Sequence, residues 1–321
     1  MATLNGKWDL AIPSDLRQTI THLRQTITYL RQTITQWMGA EGEAWIDALP
    51  EITGRLARKW RLELGEPFTG GSVSLVLAAS QGDGTPAVLK VPFLDDENRR
   101  EADALEHYGG VGAVRLYAND PETGAMLLER VTPGTPLAAH PDPDQAVAIA
   151  CQVLHRLWHP PRPDHRFPLV RDLALDWANR IPATHRRYGK PFPGRLVEQA
   201  ATLAHELADS LGTAVVVNRD AHLGNILAAK REPWLLIDPK PLVGDRAFDG
   251  GYLLLDRLGD APTPARAAKL VAIIAEGLGA DPERIQGWGL LRAVENALWA
   301  LDVHSSPEAD LAKAATLAAA M

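Results

Sequence analysis

Residues 215–245 read VVVNRDAHLGNILAAKREPWLLIDPKPLVGD, and this stretch decides how the rest of the chain is interpreted. One apolar run leads to Asp220, a second begins after Asn225, and a third, WLLI, ends before Asp238. The turn KREP between the second and third runs predicts a β-hairpin. Because a hairpin returns the chain to its starting end, we expect Asn225 and Asp238 to lie side by side, with Asp220 facing them across a loop.

The three side chains in this stretch predict a site for phosphoryl transfer. Mg²⁺ prefers carboxylate and amide oxygens and completes its shell with water and phosphate oxygens. With Asn225 and Asp238 as metal ligands, Asp220 is left to accept a proton from a hydroxyl nucleophile. Kinases divide the work in this way: the base Asp and a metal-binding Asn share one loop, and a second Asp holds the metal.

The part of the chain before this stretch predicts a small antiparallel sheet. Between residues 61 and 92 the runs RLELGEPF, SVSLVLAAS and AVLKVPF read as strands, with a hairpin turn at Asp83-Gly84. A helix is expected from Asp95 to Tyr108, and VGAVRLYAND and GAMLLERV read as two further strands.

Lys90, in the third of these strands, is the candidate phosphate-binding lysine. Burying its charge without a partner is costly, so a nearby carboxylate is expected. Glu101 on the following helix is the first choice, and Glu97, on the same helical face, is the alternative. A turn that could cover the phosphates is formed by Gly70, Gly71, Ser72 and Ser74, although it is not a G-x-G-x-x-G loop.

The chain beyond the sheet is mainly helical. VTPGTPL reads as a linker, and from Pro143 onward Ala, Leu and Trp stripes predict helices around one short β-hairpin. The predicted fold class is α+β, with a small antiparallel β-sheet lobe carrying one key helix and a large helical lobe. We therefore divide the chain into an N-terminal helical extension (1–40), a nucleotide-binding lobe (41–131) and a catalytic and acceptor-binding lobe (132–321).

The N-terminal extension contains a repeat. LRQTIT occurs three times between Leu16 and Gln36, with Leu at 16, 23 and 30 and Ile at 20, 27 and 34. This a/d stripe predicts a helix, which either packs on its own domain or serves in dimerisation. A second helical pattern follows from Glu41 to Trp60, and Pro50 is expected to split it.

Composition excludes several classes of protein. The 321 residues predict about two domains, and 40 acidic against 33 basic residues give a net charge of −7, which disfavours a nucleic-acid binder. The single Cys151 excludes an internal disulfide and a Cys-based zinc site. The sequence has neither a signal-peptide pattern nor an apolar run long enough to span a membrane, so we expect a cytoplasmic protein, either a monomer or a weak homodimer.

The chain resembles the aminoglycoside phosphotransferase superfamily, and more closely its streptomycin 6-kinase and hydroxyurea phosphotransferase group. Three stretches carry the resemblance, which extends from about Glu41 to His304: LLERVTPGTPL, DAHLGNILAAKREPWLLIDPKPLVGD and LRAVENALWALD. The resemblance implies a bilobal protein-kinase-like fold, ATP and Mg²⁺ as cofactors, and a small-molecule acceptor.

The resemblance also assigns roles to residues. It implies Asp220 as base, Asn225 and Asp238 as metal ligands, and Lys90 paired with Glu101 on the phosphates. It implies backbone contacts to adenine from Leu127, Leu128, Glu129 and Arg130. Loop support is expected from Asn218, His222 and Asp249, and an acceptor pocket could be lined by Glu295, Trp299 and Asp302. Many relatives have His-Gly before the catalytic Asp, where this chain has Asn218-Arg219.

The expected activity is transfer of the γ-phosphoryl group of ATP to a hydroxyl of streptomycin (6-O-phosphorylation) or of hydroxyurea, which would confer antibiotic resistance. Streptomycin is cationic and suits an acidic lobe, whereas hydroxyurea is neutral. The alternatives are a kinase of a metabolic alcohol and a pseudokinase that binds nucleotide as a scaffold. A protein kinase is disfavoured because no A-P-E segment follows Asp238.

Overall fold

The computed structural model describes residues 17–69, 73–210 and 212–321. The chain divides into two compact units: Met1–Gly110 with Val114–Arg130, and Val111–Ala113 with Val131–Met321. We call these the first and the second unit. No helix in the described ranges is long and apolar enough to cross a membrane.

The first unit is a five-stranded sheet with two helical elements. Its elements are α1 (Arg17–Trp60), β1 (Glu63–Pro67), β2 (Ser74–Ser80), β3 (Pro86–Pro92), α2 (Glu101–Tyr108), β4 (Leu116–Asp120) and β5 (Ala125–Glu129). All neighbouring strands are antiparallel, in the order β1-β2-β3-β5-β4. The strands predicted from the sequence are present. The predicted helix at Asp95–Tyr108 is shorter, because residues 98–100 form a 3-10 turn before α2 begins.

Helix α1 reverses direction at Gly39, so the expected break at Pro50 is wrong. Gly39 has φ 56°, a left-handed conformation that glycine adopts without steric cost. The guanidinium of Arg31 lies 2.7 Å from the carboxylate of Asp47, 16 positions later, whereas a straight helix would separate them by about 24 Å. Pro50 lies inside the second arm of this helical hairpin.

The LRQTIT stripe is buried within the first unit. Leu23, Ile27 and Leu30 belong to the same apolar core as Leu49 and Leu56 of the second arm and the inner face of the sheet. Leu16 and the side chain of Ile20 lie outside the described part of the chain. The stripe therefore packs on its own domain, as the first of the two interpretations predicted, and the seam that a coiled-coil dimer would use is covered by this chain.

A core truncation in the repeat should cost stability without changing the oligomeric state. Leu30 is fully buried, and Leu30→Ala is expected to lower the free energy of unfolding by about 2–5 kcal/mol. The neighbouring Tyr29 is 53% exposed, so Tyr29→Ala is the matched control and should change stability by less than about 0.5 kcal/mol. Denaturant unfolding and light scattering measure both quantities. A change of mass with Leu30→Ala, at unchanged stability, would favour the dimerisation helix instead.

The second unit contains seven helices and five short strands among its described residues. The helices are α3 (Pro143–Leu157), α4 (Val170–Arg187), α5 (Gly194–Asp209), α6 (Arg246–Leu258), α7 (Pro264–Leu278), α8 (Pro282–Asp302) and α9 (Glu308–Ala318). The strands are β6 (Pro133–Pro136), β7 (Val215–Asn218), β8 (Ile226–Ala229), β9 (Trp234–Leu236) and β10 (Pro241–Gly244). They form an antiparallel pair, β7–β10, and a three-stranded sheet in the order β6-β8-β9.

Two of these strands differ from the sequence-based expectation. VTPGTPL, predicted to be a linker, contains β6, which pairs with β8. β10 was not predicted, and it holds β7 in register, with Asn218 opposite Pro241. The site-bearing loop after β7 is therefore supported by a strand on the far side of the hairpin.

Close packing of α6 on α8 completes the framework of the site. A Cβ atom on Gly251 would lie 2.5 Å from the Cβ of Trp288 and 2.8 Å from the backbone nitrogen of Gly289, so any side chain at position 251 would push the helices apart. This approach brings the residue after Gly251, Tyr252, next to α8.

Candidate active site

The loop that follows β7 is held at its start by Asn218. The side-chain oxygen of Asn218 accepts hydrogen bonds from the backbone nitrogens of Asp220 (3.1 Å) and Lys240 (2.9 Å). Arg219 in turn donates its backbone N–H to the carbonyl of Lys240, at 2.9 Å. An asparagine thus braces the loop by hydrogen bonding, as the sequence led us to expect for this departure from the family pattern.

Asp249, on α6, supports the same loop. Its side chain is fully buried and accepts hydrogen bonds from the backbone nitrogen of Asn218 and from Nε1 of Trp158, both at 2.8 Å. Burial raises the pKa of Asp249 to about 7, although both hydrogen bonds act in the opposite direction. The predicted role of Asp249 in loop support is consistent with these contacts.

The pKa of Asp249 predicts a pH-dependent stability. Its ordinary value is 3.8, so between that pH and about 7 the folded chain holds a proton that the unfolded chain has lost. The free energy of unfolding should therefore fall as pH rises through this window, by up to about 1.4 kcal/mol per pH unit from this group. Asp249→Asn should flatten this slope. Urea titrations across the window test it, and an equal slope in both proteins would contradict the assignment.

Asp220 is contacted from three directions. Tyr252 on α6 donates its hydroxyl to Oδ1 at 2.8 Å. Nδ2 of Asn225 lies 3.1 Å from the backbone oxygen of Asp220 and 3.3 Å from its Oδ2. Nζ of Lys240 lies 3.4 Å from the same Oδ2. The carboxylate of the predicted base is therefore oriented by a helix, a loop and the segment before β10.

The β8–β9 hairpin brings the two predicted metal ligands to one end. Ile226 pairs with Leu236, and the backbone nitrogen of Ile237 donates to the carbonyl of Asn225 at 2.8 Å. Asp238 is the next residue and has φ 53°, a left-handed conformation that is uncommon outside glycine and that clusters at functional sites.

His222 supports the turn that leads into the hairpin. Its Nδ1 accepts the backbone N–H of Gly224 at 3.0 Å, which caps the 3-10 turn Leu223–Asn225. This contact agrees with the predicted bracing role of His222.

The donors at this end of the hairpin fit Mg²⁺. The amide nitrogen of Asn225 is hydrogen-bonded to Asp220, so the amide oxygen of Asn225 is the atom suited to a cation. Asp238 supplies a carboxylate. Within the described ranges no three His, Cys, Asp or Glu residues cluster in a way that could hold a metal. A Mg²⁺ site needs only one or two protein carboxylates, because water and phosphate oxygens fill its other positions.

Lys90 and Glu101 form a buried ion pair in the first unit. Nζ of Lys90 lies 2.6 Å from Oε2 of Glu101, and their side chains are 7% and 1% exposed. The expected partner is therefore Glu101, while Glu97 is exposed at the start of the 3-10 turn. Of the predicted phosphate-covering residues, Ser74 begins β2, whereas Gly70, Gly71 and Ser72 lie outside the described residues.

The predicted adenine segment is the end of an inner strand. Leu127 and Leu128 lie in β5, which pairs with β3 on one side and β4 on the other, so their backbone groups face strands on both sides. Glu129, the last residue of β5, also pairs with Ala87 and donates its N–H to the carbonyl of Arg115 at 2.9 Å, so Arg130 is the one of the four that lies beyond the strand. The adenine contacts stay a prediction. The Arg130 guanidinium lies 5.7 Å from the ring centre of Phe68.

The candidate acceptor residues lie along one face of α8. Glu295 is buried and accepts a hydrogen bond from Arg180 at 2.8 Å, and Asp302 is ion-paired with Arg187. Trp299, between them, is 50% exposed. Both carboxylates thus already bind guanidinium groups of α4.

Three residues near Asp220 were missed by sequence reasoning: Tyr252, Lys240 and Arg292. Lys240 could have been noticed, since it lies two positions after Asp238 in the decisive stretch. Tyr252 lies one helical turn after Asp249. The Arg292 guanidinium lies 4.7 Å from the ring centre of Tyr252, a contact across two helices for which the sequence carries no local signal.

Comparison with known sequences identifies related proteins. A family model described as aminoglycoside/hydroxyurea antibiotic resistance kinase matches residues 59–304. A streptomycin 6-kinase of Streptomyces glaucescens is 36% identical over 287 residues, which cover 88% of this chain and 92% of that protein. A hydroxyurea phosphotransferase of Kitasatospora aureofaciens is 33% identical over 283 residues, covering 87% and 82%.

Comparison with solved structures concerns the fold alone. A choline/ethanolamine kinase family protein from Mesorhizobium loti has a TM-score of 0.61 at 18% identity, covering 85% of this chain and 94% of that one. The predicted protein-kinase-like fold is confirmed by this likeness.

Proposed function

Because this chain belongs to the aminoglycoside/hydroxyurea antibiotic resistance kinase family, we propose that it transfers the γ-phosphoryl group of ATP to a hydroxyl group of a small-molecule antibiotic. Family membership makes the chain a phosphotransferase and confirms the resemblance read from its sequence. The observation that supports the proposal most is the carboxylate of Asp220, held by Tyr252, Asn225 and Lys240 beside a Mg²⁺-type donor set.

In the proposed reaction Asp220 is the general base. The acceptor oxygen attacks the γ-phosphorus, its proton passes to the Asp220 carboxylate, and the bond from phosphorus to the β-phosphate oxygen breaks to release ADP. Asn225 holds Asp220 through its amide nitrogen, so the position of the base and that of the metal donor are coupled.

Two further elements of the proposal serve the nucleotide. Asn225 and Asp238 would hold Mg²⁺, which neutralises charge on the phosphates when bound. Lys90, held by Glu101, would bind the phosphate oxygens, and the ion pair keeps the lysine in a single position.

The proposed acceptor rests on the activities of the relatives and on the two carboxylates of α8. Streptomycin and hydroxyurea are the two candidates, because these are the compounds named in the relatives' activities. A streptomycin guanidinium that bound Glu295 or Asp302 would have to replace Arg180 or Arg187. Hydroxyurea carries no charge and would need neither carboxylate.

A panel of acceptors in a coupled ADP-release assay tests this proposal. Streptomycin, hydroxyurea, other aminoglycosides and simple metabolic alcohols are offered with ATP and Mg²⁺. ADP release that depends on streptomycin or on hydroxyurea supports the proposal. Release only with a metabolic alcohol would favour that alternative, and no release with any acceptor would favour the pseudokinase.

A matched pair of variants on α8 separates the two antibiotic acceptors. If streptomycin binds Glu295, Glu295→Gln should raise KM for streptomycin, whereas Glu283→Gln, an exposed carboxylate in the first turn of the same helix, should not. With hydroxyurea as acceptor both variants should keep the KM of the original protein. An unchanged KM for streptomycin in Glu295→Gln would remove Glu295 from the acceptor site.

A further inference from the structure

The two oxygens of the Asp220 carboxylate are not equivalent. Oδ1 accepts a hydrogen bond from the Tyr252 hydroxyl at 2.8 Å, a distance typical of a well-formed O–H···O bond. Oδ2 has only longer contacts, at 3.3 Å to Asn225 and 3.4 Å to Lys240. Oδ1 is therefore committed to a donor within the protein, and Oδ2 is the oxygen suited to receive a proton from outside it.

The Tyr252 hydroxyl remains protonated and so remains a hydrogen-bond donor to Asp220. Burial raises its pKa, and the charge of Asp220 acts in the same direction, so the phenol keeps its proton. It is also held rigidly, because α6 lies against α8 at Gly251 and because Asp249, one turn earlier on α6, binds the backbone of the same loop. One helix thus fixes both the backbone and the carboxylate of the catalytic loop.

Arg292 packs against Tyr252 at considerable cost. Its Nε and Nη1 atoms are buried and, among the described residues, have no hydrogen-bond partner. Burying such donors without a partner is unfavourable. The guanidinium centre lies 4.7 Å from the ring centre of Tyr252 and 5.9 Å from that of Trp177, and the charges of Glu295 and Asp220 also attract it. These cation–π contacts offset part of the unfavourable free energy of burying the two donors.

Arg292 thus buries two unpaired donors against the side chain that orients the proposed base, and this arrangement points to function rather than to stability. We propose that Tyr252 and Arg292 are positioning residues for the phosphoryl transfer proposed above, on which this inference rests. Tyr252 fixes Oδ1 of Asp220 so that Oδ2 takes the proton of the acceptor hydroxyl. Arg292 acts through Tyr252, because its guanidinium fixes the tyrosine ring from the α8 side.

The first test removes the hydroxyl. Tyr252→Phe should lower kcat by about 10- to 100-fold, the factor expected when a hydrogen bond to a charged group is lost. KM for ATP and for the acceptor should change little, because neither substrate loses a contact. Tyr117→Phe, an exposed tyrosine on β4, is the control and should keep the original kcat. An unchanged kcat in Tyr252→Phe would overturn the proposal.

The second test separates positioning from structural support. Arg292→Met removes two buried donor atoms that have no hydrogen-bond partner among the described residues, so the melting temperature should stay the same or rise while kcat falls. Arg292→Lys, which keeps the charge near the ring, should restore part of kcat. Arg284→Met is the comparison on the same helix: Arg284 pairs with Asp245 at 2.6 Å, and its loss should lower the melting temperature. A fall in melting temperature with Arg292→Met, at unchanged kcat, would make Arg292 structural.

A double-mutant cycle tests whether Arg292 acts through Tyr252. If it does, Tyr252→Phe/Arg292→Met should have the kcat of Tyr252→Phe alone, because the pair works as a unit. Fully multiplied losses would show two independent roles and would overturn this part of the proposal. The original protein is assayed beside every variant. No turnover by the original protein refutes the proposed function, whereas turnover with unaffected variants refutes only the positioning roles.

Discussion

Replacing Asp220 by alanine is expected to lower kcat by about 10²- to 10⁴-fold, the contribution of a positioned general base. The reason is that Asp220 is the only carboxylate in the described ranges that contacts Tyr252, Asn225 and Lys240 together. KM for ATP should change far less, because in the proposed reaction Asp220 takes its proton from the acceptor. The measurement is steady-state ADP release with the acceptor that the panel identifies.

Asp220→Asn is the matched variant, because alanine also deprives Tyr252 and Lys240 of their partner. Asparagine retains an oxygen for Tyr252 but is not basic. Both variants should therefore lose kcat to a similar degree while asparagine keeps more of the stability. If either variant retained the original kcat, Asp220 would not be the base.

Loss of Lys90 should have the second-largest effect, on activity and on stability together. Both members of the Lys90–Glu101 pair are buried, so Lys90→Met leaves a carboxylate without its cation. Breaking a buried pair from one side costs about 3–5 kcal/mol of unfolding free energy. If Lys90 binds the phosphates as proposed, kcat/KM for ATP should also fall steeply.

The double variant Lys90→Met/Glu101→Leu separates these two effects. With both charges removed, stability should largely return, because an apolar pair can replace a buried ion pair. Activity should not return, because the double variant lacks the cation proposed to bind the phosphates. Lys59→Met is the control: Lys59 is half-exposed, and its partner Asp120 keeps a second cation, Arg55. Recovery of kcat/KM in the double variant would show that Lys90 does not bind the nucleotide.

Local patterns allowed two contacts of the candidate site to be predicted. A four-residue turn between two apolar runs has few three-dimensional solutions, so the proximity of Asn225 and the Ile237–Asp238 end could be read from spacing. Lys90 and Glu101 could be paired because a lysine among buried apolar residues requires a counter-charge. These inferences needed only short stretches of sequence.

The misread elements follow from competition between local signals. Pro50 was expected to break the helix, because proline generally does so. The chain of α1 instead reverses direction at Gly39, where a residue with positive φ is needed. The strands β6 and β10 span four residues each and begin at Pro133 and Pro241. Because proline is disfavoured in strands, neither segment was predicted as one.

The contacts around the base could not be read from sequence at all. Tyr252 meets Asp220 across 32 positions, and Arg292 meets Tyr252 only because α6 and α8 pack without a side chain at Gly251. Such contacts depend on helix packing, which no periodicity in a single helix specifies.

The most direct test follows a labelled γ-phosphoryl group from ATP to the acceptor. The original protein and Asp220→Ala are incubated with labelled ATP, Mg²⁺ and either streptomycin or hydroxyurea, and the acceptor is recovered and counted. We predict labelled acceptor with the original protein and almost none with Asp220→Ala. Equal labelling by both proteins, or label that passes to water but to neither acceptor, would contradict a phosphotransferase that uses Asp220 as its base.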